Sequence, residues 1–196
     1  MLNWIRGLAL LRFPEIVRDL GERRFHLQRI EEIQSSASGC KIDRDIRMIG
    51  YRKDLCDLSD RVNICGGTIL AFGDELNGFG RISIGAETWI GEYNNLRAGG
   101  GDIVIGSGCL ISQFCSLVAS NHGTSRGTPI KDQTPPPHKR GVIIGNDVWI
   151  GASAIITPGV AVHRGAIVGA GSVVTRDIPE YEIWAGVPAK RIASRD

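Results

Sequence analysis

A six-residue beat constrains this chain more than anything else in it. Ile144, Ile150, Ile156, Val162, Val168 and Val174 follow one another at intervals of six without a slip. Glycine comes directly after at Gly145, Gly151 and Gly169. Two residues before each aliphatic stands a second small or branched residue: Val142, Val148, Ala154, Val160, Ala166 and Ser172. The same frame holds upstream at Ile84, Ile90 and Leu96, and again at Ile105, Ile111 and Leu117, with Gly85, Gly91 and Gly106 in place. A weaker set, Leu58, Ile64, Leu70 and Leu76, extends it toward the N-terminus. This period is neither helical nor the alternation of a hairpin. It suits a short strand, a turn and another short strand. Three such units close a triangular coil, and coils stack about 4.8 Å apart with the aliphatics pointing into the prism. Glycine beside the aliphatic lets the corner turn without a Cβ clash. A β-sandwich would have to reproduce all these matches by chance.

The expected fold class is therefore all-β, a parallel β-helix or hexapeptide-repeat solenoid over residues 39–178 with a short N-terminal helical segment, 1–38, and a C-terminal cap or tail, 179–196. Pro14-Glu15 reads as a helix start, with proline at the first helical position and an acid in the first turn. Ile16, Leu20, Leu27 and Ile30 keep helical spacing, and Ser35-Ser36 with Gly39 end the pattern, which predicts an amphipathic helix over 14–34. The extreme N-terminus is apolar but cut by Arg6 and Arg12, too short to span a bilayer and without a small-residue cleavage site. Trp4, Ile5, Leu8, Leu11 and Phe13 there fit packing against the body or a sister subunit better than a weak membrane-surface contact.

One long interruption breaks the beat. Between Leu117 and Val142, at about 119–141, the chain is polar, bears glycine and proline, and has no apolar rhythm. A loop that long in a regular solenoid marks function. Pro135-Pro136-Pro137 should hold part of it extended and project it toward a neighbouring subunit.

Composition narrows the class further. A hydrophobic fraction of 42% belongs to a globular chain, and a net charge of +2 without any cluster of cations among aromatics argues against nucleic acid. The five cysteines, Cys40, Cys56, Cys65, Cys109 and Cys115, form no CxxC pair, so neither a zinc site nor a disulfide framework is expected and a cytoplasmic setting, at most peripheral to the inner membrane, fits. Cys109 and Cys115 are in step with the beat and read as small core residues.

The stretch VIIGNDVWIGASAIITPGVAVHRGAIVGAGSVVTRDIPEYEIWAGVPAKRI resembles the C-terminal half of hexapeptide-repeat acetyltransferases, above all those acting on maltose, galactosides and capsule or lipopolysaccharide sugars. The match covers about 82–192, and its strings GAGSVVT-x-DIP and WAGVPAK carry it; Asn121-His122-Gly123 with the proline-bearing loop looks most like the polysaccharide O-acetyltransferases. The resemblance implies a left-handed β-helix, a homotrimer, and acetyl-CoA bound in grooves between subunits with the protruding loop completing each site. It implies transfer of an acetyl group from acetyl-CoA to a sugar hydroxyl on a polysaccharide, lipopolysaccharide or other glycan.

Acyl transfer from a thioester needs a base and good positioning, and neutral imidazole serves as that base. Of four histidines, His26 falls in the helix and His163 at a solenoid corner, and both read as surface residues. His138, after the prolines, reads as exposed, with substrate contact as its alternative. His122 lies where the family places its catalytic base. Asn121 is either a turn residue or an acceptor contact. Asn94 and Asn95 fall near the family's acceptor-binding asparagine, but the spacing does not choose between them. Resemblance carries over Trp149, Ala152, Ala170, Thr175, Arg176, Lys190 and Arg191 for acetyl-CoA: the small alanines beside the pantetheine arm, the cations for its phosphates. Ala152 stands where some relatives have serine, which removes one hydrogen bond to the cosubstrate.

Three other readings compete. A γ-type carbonic anhydrase shares the fold but needs converging histidines on zinc, and His122 has no partner at that spacing, so no metal is expected. A non-catalytic hexapeptide scaffold would not keep the Asn-His loop and the basic C-terminal motif. An antibiotic or amine acceptor is the remaining alternative; relatives of those kinds usually carry aromatic insertions or an extra domain.

Overall fold

The computed structural model describes residues 13–136 and 140–196. The prism forms as the beat requires: about six coils, each passing over three faces of parallel sheet. The first face stacks Lys41–Ile42, Asn63–Ile64, Trp89–Ile90, Leu110–Ile111, Trp149–Ile150 and Ile167–Val168. The second stacks Arg47–Ile49, Ile69–Ala71, Asn95–Arg97, Ser116–Val118, Ile155–Ile156 and Val173–Val174. The third stacks Cys56–Leu58, Ile82–Ile84, Ile103–Ile105, Val142–Ile144 and Val160–Val162, and a bridge from Val162 to Ile178 closes it in the last coil.

The beat's aliphatics are the core. From Ile84 to Val174 every one of them is at most 2% exposed, and so are their smaller companions apart from Val160 at 4%. Ladder register keeps them in columns, for example Ile90, Ile111, Ile150 and Val168 up the first face. Cys109 and Cys115 occupy the companion positions and are fully buried.

Two expectations need correction. Leu76 is 84% exposed, because the chain leaves the prism after Phe72 in a small hairpin, Gly73–Asp74 against Gly78–Phe79, and rejoins it at Ile82. The glycines after the aliphatics also work differently from the turn role assigned to them. A Cβ on Gly151 would lie 2.6 Å from the Ala170 backbone nitrogen, so these glycines permit rung-to-rung approach. The left-handed residue comes two positions later, where Glu87, Tyr93, Asp147 and Ser153 accept positive φ.

Helix α1 (Pro14–Ser36) starts at the proline as expected and runs to Ser36, past 34. The hydroxyls of Ser35 and Ser36 donate back to Glu32 O and Ile33 O, so these serines complete the last turn. Only Ile30 and Ile33 are buried, against the first coil; Ile16 and Leu20 stay exposed, so the apolar stripe covers the body only at its C-terminal end. The N-terminal apolar residues before Phe13 lie outside the described residues. No described helix is long and apolar enough to cross a membrane.

The top of the prism is closed by an antiparallel hairpin, Glu182–Gly186 with Ala189–Ser194, whose first strand continues the first face beyond Ile167–Val168. Arg195 fastens it, donating to Asp147 Oδ2 at 2.9 Å and to Gly165 O at 3.1 Å.

Cys56 sits partly buried between α1 and the first coil, and burial, helped by the Asp57 carboxylate, pushes its thiol up from about 9 to about 12. The folded state keeps its proton over that window while the unfolded chain loses it. The corresponding stability is present below pH 9 and is lost as pH rises toward 12. Melting temperature should therefore fall more steeply above pH 9 in the wild type than in Cys56→Ala. Parallel slopes would contradict this.

Candidate active site

The insertions share one corner. Every turn from the first to the second face and from the third to the first keeps the regular spacing. Between the second and third faces, the first four coils are longer than it, the fifth keeps it, and the sixth is two residues shorter, from Val174 to Ile178. The second coil sends out the Gly73–Phe79 hairpin there, and the fourth sends out the long loop. Gly80 must be glycine at this corner, since a Cβ would lie 1.8 Å from Ala98 O and 2.1 Å from Gly101 O.

The loop is built, not slack. Gly141 N donates to Ala119 O at 2.7 Å and pinches its ends together. Gln133 ties its interior, with Nε2 donating to Thr128 O and Ser125 O, and Oε1 accepting from Ser125 N. Arg140 donates to Pro135 O at 2.7 Å. Pro137 and His138, and with them the expected stalk, lie outside the described residues.

Hairpin and loop together wall a cavity of about 330 Å³. Its floor is a row of successive rungs on the second face, Ile49, Ala71, Arg97 and Val118. Asp74 and Asn77 stand on the hairpin side; Asn121, His122 and Pro135 stand on the loop side. His122 and Asn121 are both exposed, and no described residue hydrogen-bonds the His122 ring. The Asp74 carboxylate turns into its own hairpin: the Asn77 backbone N–H and side-chain amide, with the Leu76 N–H, hold its pKa below the usual carboxylate range.

The asparagine pair separates. Asn94 lies wholly inside the prism, where Nδ2 donates to Gly91 O at 2.8 Å and Oδ1 accepts from Cys115 N at 2.8 Å. It holds rungs together and is out of a substrate's reach, which corrects its place among substrate contacts. Its neighbour Asn95 faces outward on the same strand and the same side as Arg97. Asn95 Oδ1 is shielded from solvent and has no hydrogen-bond partner among the described residues.

The residues carried over for acetyl-CoA fall into three groups. Trp149, Ala152 and Ala170 gather at the corner between the first and second faces, where Gly171 N donates to Ala152 O at 2.8 Å. Trp149 is 49% exposed and donates to Ser112 Oγ; beside it Ala152 and Ala170 present nothing larger than a methyl. Thr175 and Arg176 are exposed at the second-to-third corner of the last coil. Lys190 and Arg191 are on the closing hairpin, where Arg191 is committed to Glu182 Oε1 at 3.0 Å and to Ser194 Oγ. His122 and the alanine corner thus stand at different edges of one prism. His26 bonds Arg44 O, and His163 is exposed at a corner. Among the described residues no three His, Cys, Asp or Glu side chains are grouped to hold a metal ion.

Sequence reasoning missed the hairpin and Arg97. The signal was the break after Leu70, where the next core aliphatics come only at Ile82 and Ile84, with Gly73, Gly78 and Gly80 between.

Residues 141–176 match the family described as bacterial transferase hexapeptide (six repeats). That stretch carries the hexapeptide repeat of bacterial transferases. Among relatives of this hexapeptide chain, a chloramphenicol acetyltransferase of Klebsiella aerogenes is 49% identical over 53 residues, covering 27% of this chain and 25% of that protein. The putative lipopolysaccharide biosynthesis O-acetyl transferase WbbJ of Escherichia coli K12 is 38% identical over 96 residues, covering 46% of this chain and 49% of WbbJ. The chain thus spans from a quarter to a half of these relatives. Among solved structures, a variant of AntD, an N-acyltransferase from Bacillus cereus in complex with dTDP and coenzyme A, superposes with a TM-score of 0.67 at 24% identity, over 85% of this chain and 89% of that one. That likeness concerns the fold.

Proposed function

We propose that this protein is an acetyl-CoA-dependent O-acetyltransferase that acetylates a sugar hydroxyl, with its site completed between copies of a homotrimer. One observation carries the reading: an exposed imidazole, His122, the one histidine among the described residues that line the cavity, stands at the corner where the insertions emerge. The named activities of relatives, an antibiotic acetyltransferase and a lipopolysaccharide O-acetyl transferase, support acetyl transfer and differ in the acceptor.

Acetyl-CoA brings an acyl group already activated as a thioester. The small surface at Ala152 and Ala170, with Trp149 beside it, fits an extended pantetheine arm, and Arg176 and Lys190, exposed and without an ion pair among the described residues, offer charge to its phosphates. Because that surface and His122 belong to different edges of the prism, a neighbouring subunit brings them together. His122 takes the proton from the acceptor hydroxyl as that oxygen bonds to the acyl carbon. As the carbon–sulfur bond breaks, His122 returns the proton to the leaving sulfur.

Acetyl-CoA binding separates this reading from an inert scaffold. At a hundred times Kd a ligand stabilises the native state by about 2.7 kcal/mol, a melting shift of about 5–10 °C for a chain of this size. A thermal-shift titration should show it. No shift at saturating acetyl-CoA would fit a scaffold and contradict the proposal.

A further inference from the structure

The cavity floor carries a charge that the acetyl-transfer reaction does not require. Ile49, Ala71 and Val118 make that row apolar, and Arg97 interrupts it between Ala71 and Val118. Its guanidinium lines the cavity together with His122, and among the described residues it has neither an ion pair nor a hydrogen bond. The other charged side chain there, Asp74, spends its oxygens on Leu76 and Asn77 and is more than salt-bridge distance from Arg97. An exposed arginine on an open surface is satisfied by water. This one is placed in an apolar row beneath two walls, beside the candidate base, where a bound molecule displaces that water.

We infer that the acceptor is an anionic sugar, whose carboxylate or phosphate group is held by Arg97 while a hydroxyl of the same molecule lies against His122. A guanidinium presents paired N–H donors that match the two oxygens of either group, and such charge-assisted pairs are stronger than neutral ones. The neighbouring apolar rungs Ala71 and Val118 take the ring's less polar face. The inference rests on the reading of the His122 cavity as the acceptor site.

Ligand-observed NMR titrations with galactose, galacturonate and galactose 6-phosphate test it on the full chain. The wild type should bind at least one charged sugar about tenfold more tightly than galactose, a difference set by one charged pair; which one it is tells carboxylate from phosphate. Arg97→Ala should erase that preference and leave galactose and coenzyme A affinity unchanged. Equal binding of all three sugars, no detectable binding of either charged sugar, or a preference that survives Arg97→Ala would each overturn it. A loss of coenzyme A affinity in Arg97→Ala would assign the anion to the acyl donor and overturn it as well. His122→Ala separates the two readings: it should keep the charged-sugar preference while losing acetyl transfer. A variant that kept acetyl transfer would sink the role of His122 and leave the anion contact standing.

Discussion

Replacing His122 by alanine is expected to lower acetyl transfer by two or more orders of magnitude with little change in acetyl-CoA affinity. A positioned general base contributes about 100- to 10,000-fold, and no other described residue of the cavity stands ready to replace it. Asn121 beside it cannot take a proton, and the Asp74 carboxylate across the cavity is tied into its hairpin. The trimmed ring touches no described residue through a hydrogen bond, so the fold has little reason to respond. Thiol release from acetyl-CoA in the presence of acceptor reads the turnover, and a binding titration reads the cosubstrate. Turnover within a few-fold of wild type would remove His122 from the chemistry.

The second large effect falls on stability. Leu117 is fully buried in the fourth coil, in register with Leu96 below and Ile156 above. Leu117→Ala should cost about 2–5 kcal/mol, the range for a leucine truncated in a core that collapses only partly. Coils contact only their neighbours, so the loss is felt in the coil that carries the His122 loop. Leu76→Ala, in step with the same beat but exposed on the hairpin, should change stability by no more than about 0.5 kcal/mol. Urea midpoints of the two variants give the comparison; equal losses would contradict the assignment of which aliphatics fill the prism.

That contrast shows what the sequence can and cannot disclose. The beat made the prism legible from Ile84 to Val174 because each coil repeats the same packing demand on a column of side chains. Leu76 matched the pattern and still lies outside, since spacing does not record where the chain departs from its coil. His122 stood out in the sequence because it follows a regular coil at the start of the long loop. Asn94 and Asn95 could not be told apart by spacing, because adjacent strand residues point to opposite sides; the structure turns one into a rung tie and leaves the other facing out. Arg97 was invisible because nothing in a single strand tells that a hairpin from one coil and a loop from another will close over it. Trp149, Ala152 and Ala170 cluster as one surface, whereas Arg191 is taken up by Glu182 in the closing hairpin.

The most direct test is a crystal structure of the protein grown with coenzyme A and an acceptor sugar. The account predicts coenzyme A along the Trp149, Ala152 and Ala170 edge of one subunit, with its sulfur and a sugar hydroxyl both meeting His122 of the next. Coenzyme A seated away from that edge, or a cavity at His122 that neither molecule enters, would contradict it.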